Sequence, residues 1–273
     1  MRIPVAALLI LSVSLAGCGG GSTEWHQVKD LMHSPQLSNR SDKGEPIRLA
    51  ISGPVAIDVE SFNGDVIIRQ NSDLVDQALV RVDRVAVHGY KRKDEGLAAL
   101  SNVTFDAQIV PGELGQTVQV RTGSSDPEPH YLRANVLIEA AEIDGIRVRT
   151  NRGKVFATGI KGAVDIETNL GDVRIATNQA MTQPVTILNR EGDIAYRVRG
   201  ESTGTLDAEA IRGRVLHRVL YGRLFPVKPE GEGKLTATLN EGKNPITLRT
   251  TDGEIWFTVV HNPEKMGVLS VGP

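Results

Sequence analysis

The sequence predicts an all-β fold: a single-stranded parallel β-helix of about 20 residues per coil, preceded by a more irregular β region. Three observations carry this expectation. One short phrase recurs, as FNGDVII from residue 62, TNRGKVF from 150, TNLGDVRI from 168 and NREGDIAY from 189. A glycine, a charged residue and an aliphatic residue recur at Gly153, Gly171, Gly192, Gly213, Gly233 and Gly253, at intervals of 18, 21, 21, 20 and 20. Aromatic residues make up only 4% of the chain, against 40% hydrophobic residues overall, most of them Val, Ile, Leu and Ala. Such side chains stack in regular layers, and the β-branched ones favour extended chain.

The first seventeen residues read as an address. Arg2 precedes the apolar run VAALLILSVSLAG, which is too short to span a bilayer as an ordinary helix. The run ends in Leu15-Ala16-Gly17-Cys18, which resembles the bacterial lipobox, and the resemblance implies lipidation of Cys18 after removal of residues 1–17. Cys18 is the only cysteine, so no disulfide can form within the chain. Acyl chains on Cys18 would anchor the protein to a membrane rather than insert it, since no later apolar run is long enough to span. By resemblance to known sorting rules, Gly19 after the cysteine favours the outer membrane where one exists. Removal of Arg2 leaves 30 cationic and 33 anionic side chains, a net charge of −3, and no basic surplus points to nucleic acid.

Residues 18–45 are polar and rich in Gly, Ser and Asn, and read as a flexible tether reaching about 30 Å. Residues 46–144 form the N-terminal β region. There LAIS, VAIDVE and DVIIRQ alternate apolar with polar residues between the turns Gly53-Pro54 and Asn63-Gly64. The longer LVDQALVRVDRVAVH requires one change of face, a bulge between Val82 and Val85. Residues 93–101 are the expected helix, followed by strands around VTFDAQIV, QTVQVRT and YLRANVLIEA.

Residues 145–273 are expected to carry the regular coils and the C-terminal end. Each coil holds two short strands around a sharp corner at Gly153, Gly171, Gly192, Gly213 or Gly253, with Gly64 as an earlier copy. Val164, Ile166, Val173 and Ile175 point inward, as do Val185, Ile187, Ile194 and Tyr196 in the next coil. The segment 216–231 breaks the rhythm with Pro226 and Pro229, so Gly233 either joins the series or follows a loop insertion. A β-meander with ten-residue spacing would show similar turns and stays open; the constant repeat length favours the solenoid.

The phrase "strand, Asn-x-Gly, strand", together with YLRANVLIEA and IRVRTNRGKVFATGIKGAVDIETNLGDVRI, resembles the β-helical bacterial envelope proteins catalogued as "putative adhesins", over residues 50–260. The resemblance implies a β-helical envelope protein and carries over no catalytic residue.

No constellation points to catalysis or a cofactor. Gly200-Glu201-Ser202-Thr203-Gly204 fits the G-x-S-x-G pattern, but a strand-like TLDAEA follows it where a nucleophile elbow needs a helix. Asp172 and Asp193 would stand on adjacent coils, where Lys154 and Arg214 offer counter-charges. The six histidines, at 26, 33, 88, 130, 217 and 261, lack metal-ligand spacing. The expectation is a non-catalytic, lipid-anchored protein of the bacterial cell envelope that contacts envelope polysaccharide or protein. The competing readings are a carbohydrate-active β-helix enzyme, a lyase or glycosidase, and an accessory role in envelope stress signalling. The enzyme would need clustered acids beside sugar-stacking aromatics, and 11 aromatic residues are scattered over the whole chain.

Overall fold

The structure, a computed structural model, describes residues 37–89, 92–112, 115–229 and 231–265. Cys18, the expected signal segment, and residues 18–36 of the expected tether lie outside the described residues. The N-terminal half holds β1 (Leu37–Asp42), β2 (Ile47–Ala50), β3 (Val55–Ser61), β4 (Val66–Gln70), β5 (Gln77–Gly89), α1 (Lys93–Ala99), β6 (Val103–Gly112), β7 (Gly115–Ser124) and β8 (Leu132–Ala140). Then come β9 (Ile143–Arg152), β10 (Val155–Thr158), β11 (Val164–Leu170), β12 (Val173–Ala176), β13 (Val185–Glu191) and β14 (Ile194–Val198). The last six are β15 (Gly204–Arg212), β16 (Val215–Val219), β17 (Leu224–Pro229), β18 (Lys234–Leu239), β19 (Pro245–Asp252) and β20 (Ile255–Val259).

These strands form two ten-stranded sheets. Sheet A runs β1-β5-β8-β4-β10-β12-β14-β20-β16, with β2 paired to β5; sheet B runs β17-β18-β15-β19-β13-β11-β9-β3-β7-β6. The fold is therefore all-β and solenoid-like: the chain passes from sheet B through a glycine corner into sheet A, and equivalent strands pair in parallel. Val66, Val155, Val173, Ile194 and Ile255 stand in register across sheet A. Val59, Val148, Ile166, Ile187 and Leu248 do so across sheet B. All ten are buried, and each contributes about 1.5–3 kcal/mol relative to exposure.

The coils do not stack in chain order, as the sequence analysis assumed. The unit turning at Gly253 sits between those of Gly192 and Gly213, because β19 pairs with both β13 and β15, and β20 with both β14 and β16. Gly233 is not a member of the series, since β18 runs antiparallel to β15. The segment 216–231 is not a loop insertion: it contains most of β16 and all of β17, which pairs antiparallel with β18.

Two further expectations are corrected. The end of the expected tether forms β1, paired antiparallel with β5. The bulge expected between Val82 and Val85 does not occur, because β5 keeps continuous register with β8 from Ala78 to Ala86. The alternation runs Val80, Val82, Arg84, Ala86, and the Arg84 guanidinium stands 5.4 Å from the centre of the Phe105 ring. A cation over an aromatic face is how a charge occupies an otherwise apolar row. The expected helix is present as α1, extended by one 3-10 turn to Asn102.

Candidate functional site

The six corner glycines converge into one ladder. A Cβ at Gly153 would collide with the carbonyl of Gly64, one at Gly171 with that of Gly153, and one at Gly192 with that of Gly171. The series continues with Gly253 against Gly192 and Gly213 against Gly253. Gly171 and Gly253 also have φ of +139° and +147°, which side chains rarely tolerate. These glycines serve packing, not ligand chemistry.

The residues following them form a polar rail. Asp65 Oδ1 accepts the Lys154 N–H at 2.9 Å, Asp172 Oδ1 the Asp193 N–H at 3.3 Å, and Asp193 Oδ1 the Glu254 N–H at 2.8 Å. Lys154 and Arg174 each approach Asp172 at 3.6 Å, and Arg214 pairs with Glu254 at 2.6 Å. Asp172 and Asp193 are thus adjacent, but they act as caps and counter-charges. Burial raises the Asp193 carboxyl above its ordinary pKa; the Glu254 N–H opposes this and the nearby Asp172 and Glu254 carboxylates add to it. Among the described residues no group of three or more His, Cys, Asp or Glu could hold a metal ion.

Ser202 lies in irregular chain between β14 and β15, fully buried, with its hydroxyl accepting the Met181 N–H at 3.0 Å. Strand β15 follows it, so it has neither the exposure nor the helix of a nucleophile elbow.

The two outer faces differ in kind. Sheet B carries a charge-paired row, Glu209, Arg249, Leu188, Glu167, Arg149, Glu60, Arg121 and Asp106, one residue per strand. Three of its arginines repeat one clamp. Arg121 grips the backbone oxygen and carboxylate of Asp58, Arg149 those of Asp165, and Arg249 those of Asp207. Each also approaches the acid two residues further on, Glu60, Glu167 or Glu209. Such a face pairs most of its charges internally, although Asp58 and Asp207 each keep one buried carboxylate oxygen without a hydrogen-bond partner.

Sheet A instead carries Leu137, Ile67, Phe156, Arg174, Ala195, Trp256 and Leu216 in one row. At strand spacing this row extends about 29 Å. Ile67 and Phe156 are 36% and 40% exposed. The next row runs Glu139, Arg69, Thr158, Ala176, Arg197, Thr258 and Arg218, in which Arg69 pairs with Glu139 at 2.6 Å and Arg197 is buried. An apolar, partly aromatic stripe of this length suits contact with an extended partner, because large apolar and aromatic side chains supply most of the buried area at a contact. This row was not among the features expected from the sequence. Its signal was present: the third residue after each corner glycine faces outward, yet Ile67, Phe156, Leu216 and Trp256 are large and apolar there.

A separate cleft of about 620 Å³ lies beside α1, lined by Arg92, Glu95, Asp126, His130, Tyr131 and Arg133 among others. The Tyr131 hydroxyl donates to Asp126 at 2.5 Å, which holds the carboxyl below its ordinary pKa and pushes the phenol up. Its charges are of both signs, and Arg92 pairs with Glu95 at 2.5 Å.

A family model described as Toastrack DUF4097 matches residues 56–258. No curated protein matches the chain significantly. Among solved structures, a "putative cell adhesion protein" from Clostridium sporogenes is similar with a TM-score of 0.55 at 13% identity, covering 80% of this chain and 100% of that one. A "putative adhesin" from Bacteroides fragilis covers 83% of this chain and 98% of its own, at 10% identity and a TM-score of 0.25. A "putative lipid binding protein" from Parabacteroides distasonis covers 80% and 97%, at 9% and 0.24. At these identities the Clostridium sporogenes structure speaks to fold alone.

Proposed function

Since the chain belongs to the Toastrack DUF4097 family, whose described features here are structural, we propose that it is a non-catalytic cell-envelope module, lipid-anchored at Cys18, that contacts a partner through the outer face of sheet A. The observation that carries this reading is the contrast between faces. Sheet B covers its outer face with paired charges, whereas sheet A presents the large apolar side chains Ile67, Phe156, Trp256 and Leu216 in one row. The adhesion named for the Clostridium sporogenes neighbour agrees with a contact role. The parallel ladders are read as a β-helix of about 20 residues per coil, with one coil exchanged in order. In this reading residues 1–17 are removed as a signal, Cys18 carries the lipid, and the chain up to β1 links the sheets to an envelope membrane, the outer one where present. Among the described residues no helix is long and apolar enough to cross a membrane.

The test is capture of envelope polysaccharide and protein fractions by the wild type, by Phe156→Ala/Trp256→Ala and by Arg121→Ala/Arg149→Ala. Loss of capture with the first pair alone supports the sheet A face. Equal capture by all three overturns it.

A further inference from the structure

The end of the stack at β16 is built unequally. Strands β15 and β16 share one corner, at Gly213, yet sheet B continues past β15 with β18 and β17, whereas sheet A ends at β16 among the described residues. On β20, Ile255, Phe257 and Val259 are fully buried; their partners on β16 are Val215, His217 and Val219, of which the valines are half-buried and His217 is exposed. This is the burial pattern of a core row covered from one side only.

The backbone agrees. Ile255 N donates to the Arg214 oxygen at 2.9 Å, and Leu220 N to the Val259 oxygen at 2.9 Å. In a parallel ladder alternate residues bond to one neighbour, so Arg214, Leu216, Arg218 and Leu220 face β20, while His217 and Val219 turn their N–H and C=O groups outward. The Val215 N–H, on that outward side, is already taken by the Glu232 oxygen at 2.7 Å. At the same end of sheet B, β17 carries Pro226 and Pro229 and a register shift, devices that discourage strand addition. β16 has neither.

Charge decides the occupant. From Ile211 to Pro229 the chain holds Arg212, Arg214, Arg218, Arg223 and Lys228 and no Asp or Glu, and Glu232, held at the Val215 end of the edge, acts on Arg214. Arg212 and Arg214 are paired with Asp252 and Glu254, whereas among the described residues Arg218 makes no salt bridge. Two copies pairing antiparallel about Arg218 would set arginine against arginine, and like charges across a strand pair are unfavourable. We propose that the outer edge of β16 binds an acidic, extended segment of a partner protein, which adds to sheet A as a further strand. On the outer face that segment sets an apolar residue beside Leu216 and an acidic one beside Arg218, two positions apart. On the inner face small apolar residues cover Val215 and Val219. The site adjoins the face proposed above but uses backbone groups, and it stands or falls separately from it.

The test is fluorescence anisotropy of the full chain in detergent with a labelled octapeptide in which alanine alternates with valine or glutamate. Expected results are saturable binding, at least tenfold weakening by Arg218→Glu and by His217→Pro, and no binding of the peptide with lysine for glutamate. His217→Pro removes one outward N–H at an edge position that tolerates proline; should it not fold, a peptide N-methylated at alternate backbone nitrogens tests the same hydrogen bonds on the wild type, and equal binding of that peptide overturns the proposal. Binding of polygalacturonate with the same affinity as the acidic peptide, unaffected by His217→Pro, would show a polyanion site instead and also overturn it. So would a dimer that Arg218→Glu changes, or peptide binding seen only after removal of residues 266–273.

Discussion

Gly192 lies against Gly253, sixty-one positions along the chain, and not against Gly213, its successor in the sequence series. The Gly192 N–H donates to the Asp252 oxygen at 2.7 Å, and a Cβ on Gly253 would strike the Gly192 carbonyl. One late coil is therefore inserted between two earlier ones, and the glycine there is required both by φ of +147° and by contact.

Gly253→Ala is accordingly expected to cost about 3 kcal/mol, combining a strained φ with a backbone collision. Gly53→Ala has φ of +73° with nothing near the new Cβ, and should cost about 1 kcal/mol. Chemical denaturation of both compares them; equal losses would remove close approach as the reason for the ladder.

Ile175 is 1% exposed and Arg174, its neighbour, faces outward. Ile175→Asp would bury a carboxylate without a partner and should destabilise by about 4 kcal/mol. Arg174→Asp, beside Asp172, should cost no more than about 1 kcal/mol. Thermal melts that fail to separate the two would contradict the inside-outside alternation.

The Arg149–Asp165 clamp joins β9 to β11 through the side chain at 2.6 Å and the Asp165 backbone oxygen at 3.2 Å. A double-mutant cycle of Arg149→Ala and Asp165→Ala should yield a coupling of about 1 kcal/mol, reduced by salt because both groups are partly exposed. Coupling near zero would mark the repeated clamp as incidental.

Asp193 supplies the pH prediction. Burial raises its carboxyl above 3.8, so the folded state holds the proton more tightly than the unfolded chain. The resulting stabilisation is fully present below the unfolded pKa and is lost as pH rises through the folded value; above it, the ionised carboxylate counts against the fold. Asp193→Asn keeps an oxygen for the Glu254 N–H and removes the charge. It should be more stable than wild type at pH 7, by no more than about 1 kcal/mol at this partly buried position, and the advantage should vanish below about pH 4. A variant less stable at pH 7 would reverse the sign.

With Cys18 as the proposed lipid site, Cys18→Ser should release the protein from membranes, because acylation needs the thiol. Membrane fractionation with salt and carbonate washes measures this; a variant that resists both washes excludes lipid anchoring through Cys18.

The sequence by itself determined the local unit. Its alternation put Val173, Ile175, Val185 and Ile187 inside, its period of about 20 residues located the corners at Gly153, Gly171, Gly192, Gly213 and Gly253 while also counting Gly233, and its recurring phrase located Gly64, because strand pleat and left-handed turns leave local signatures in residue type. Only the tertiary structure decided which unit lies on which. Every coil offers its neighbours nearly the same backbone edges and the same aliphatic row, so local residues do not distinguish Gly213 from Gly253 as the partner of Gly192. The choice follows from the return of the chain through β17 and β18, with β18 lying antiparallel on the far side of β15 and leaving β19 to enter between β13 and β15. The same exchange brings Trp256 between Ala195 and Leu216. The outward apolar row, and the unequal end at β16, exist only once that long-range pairing is made.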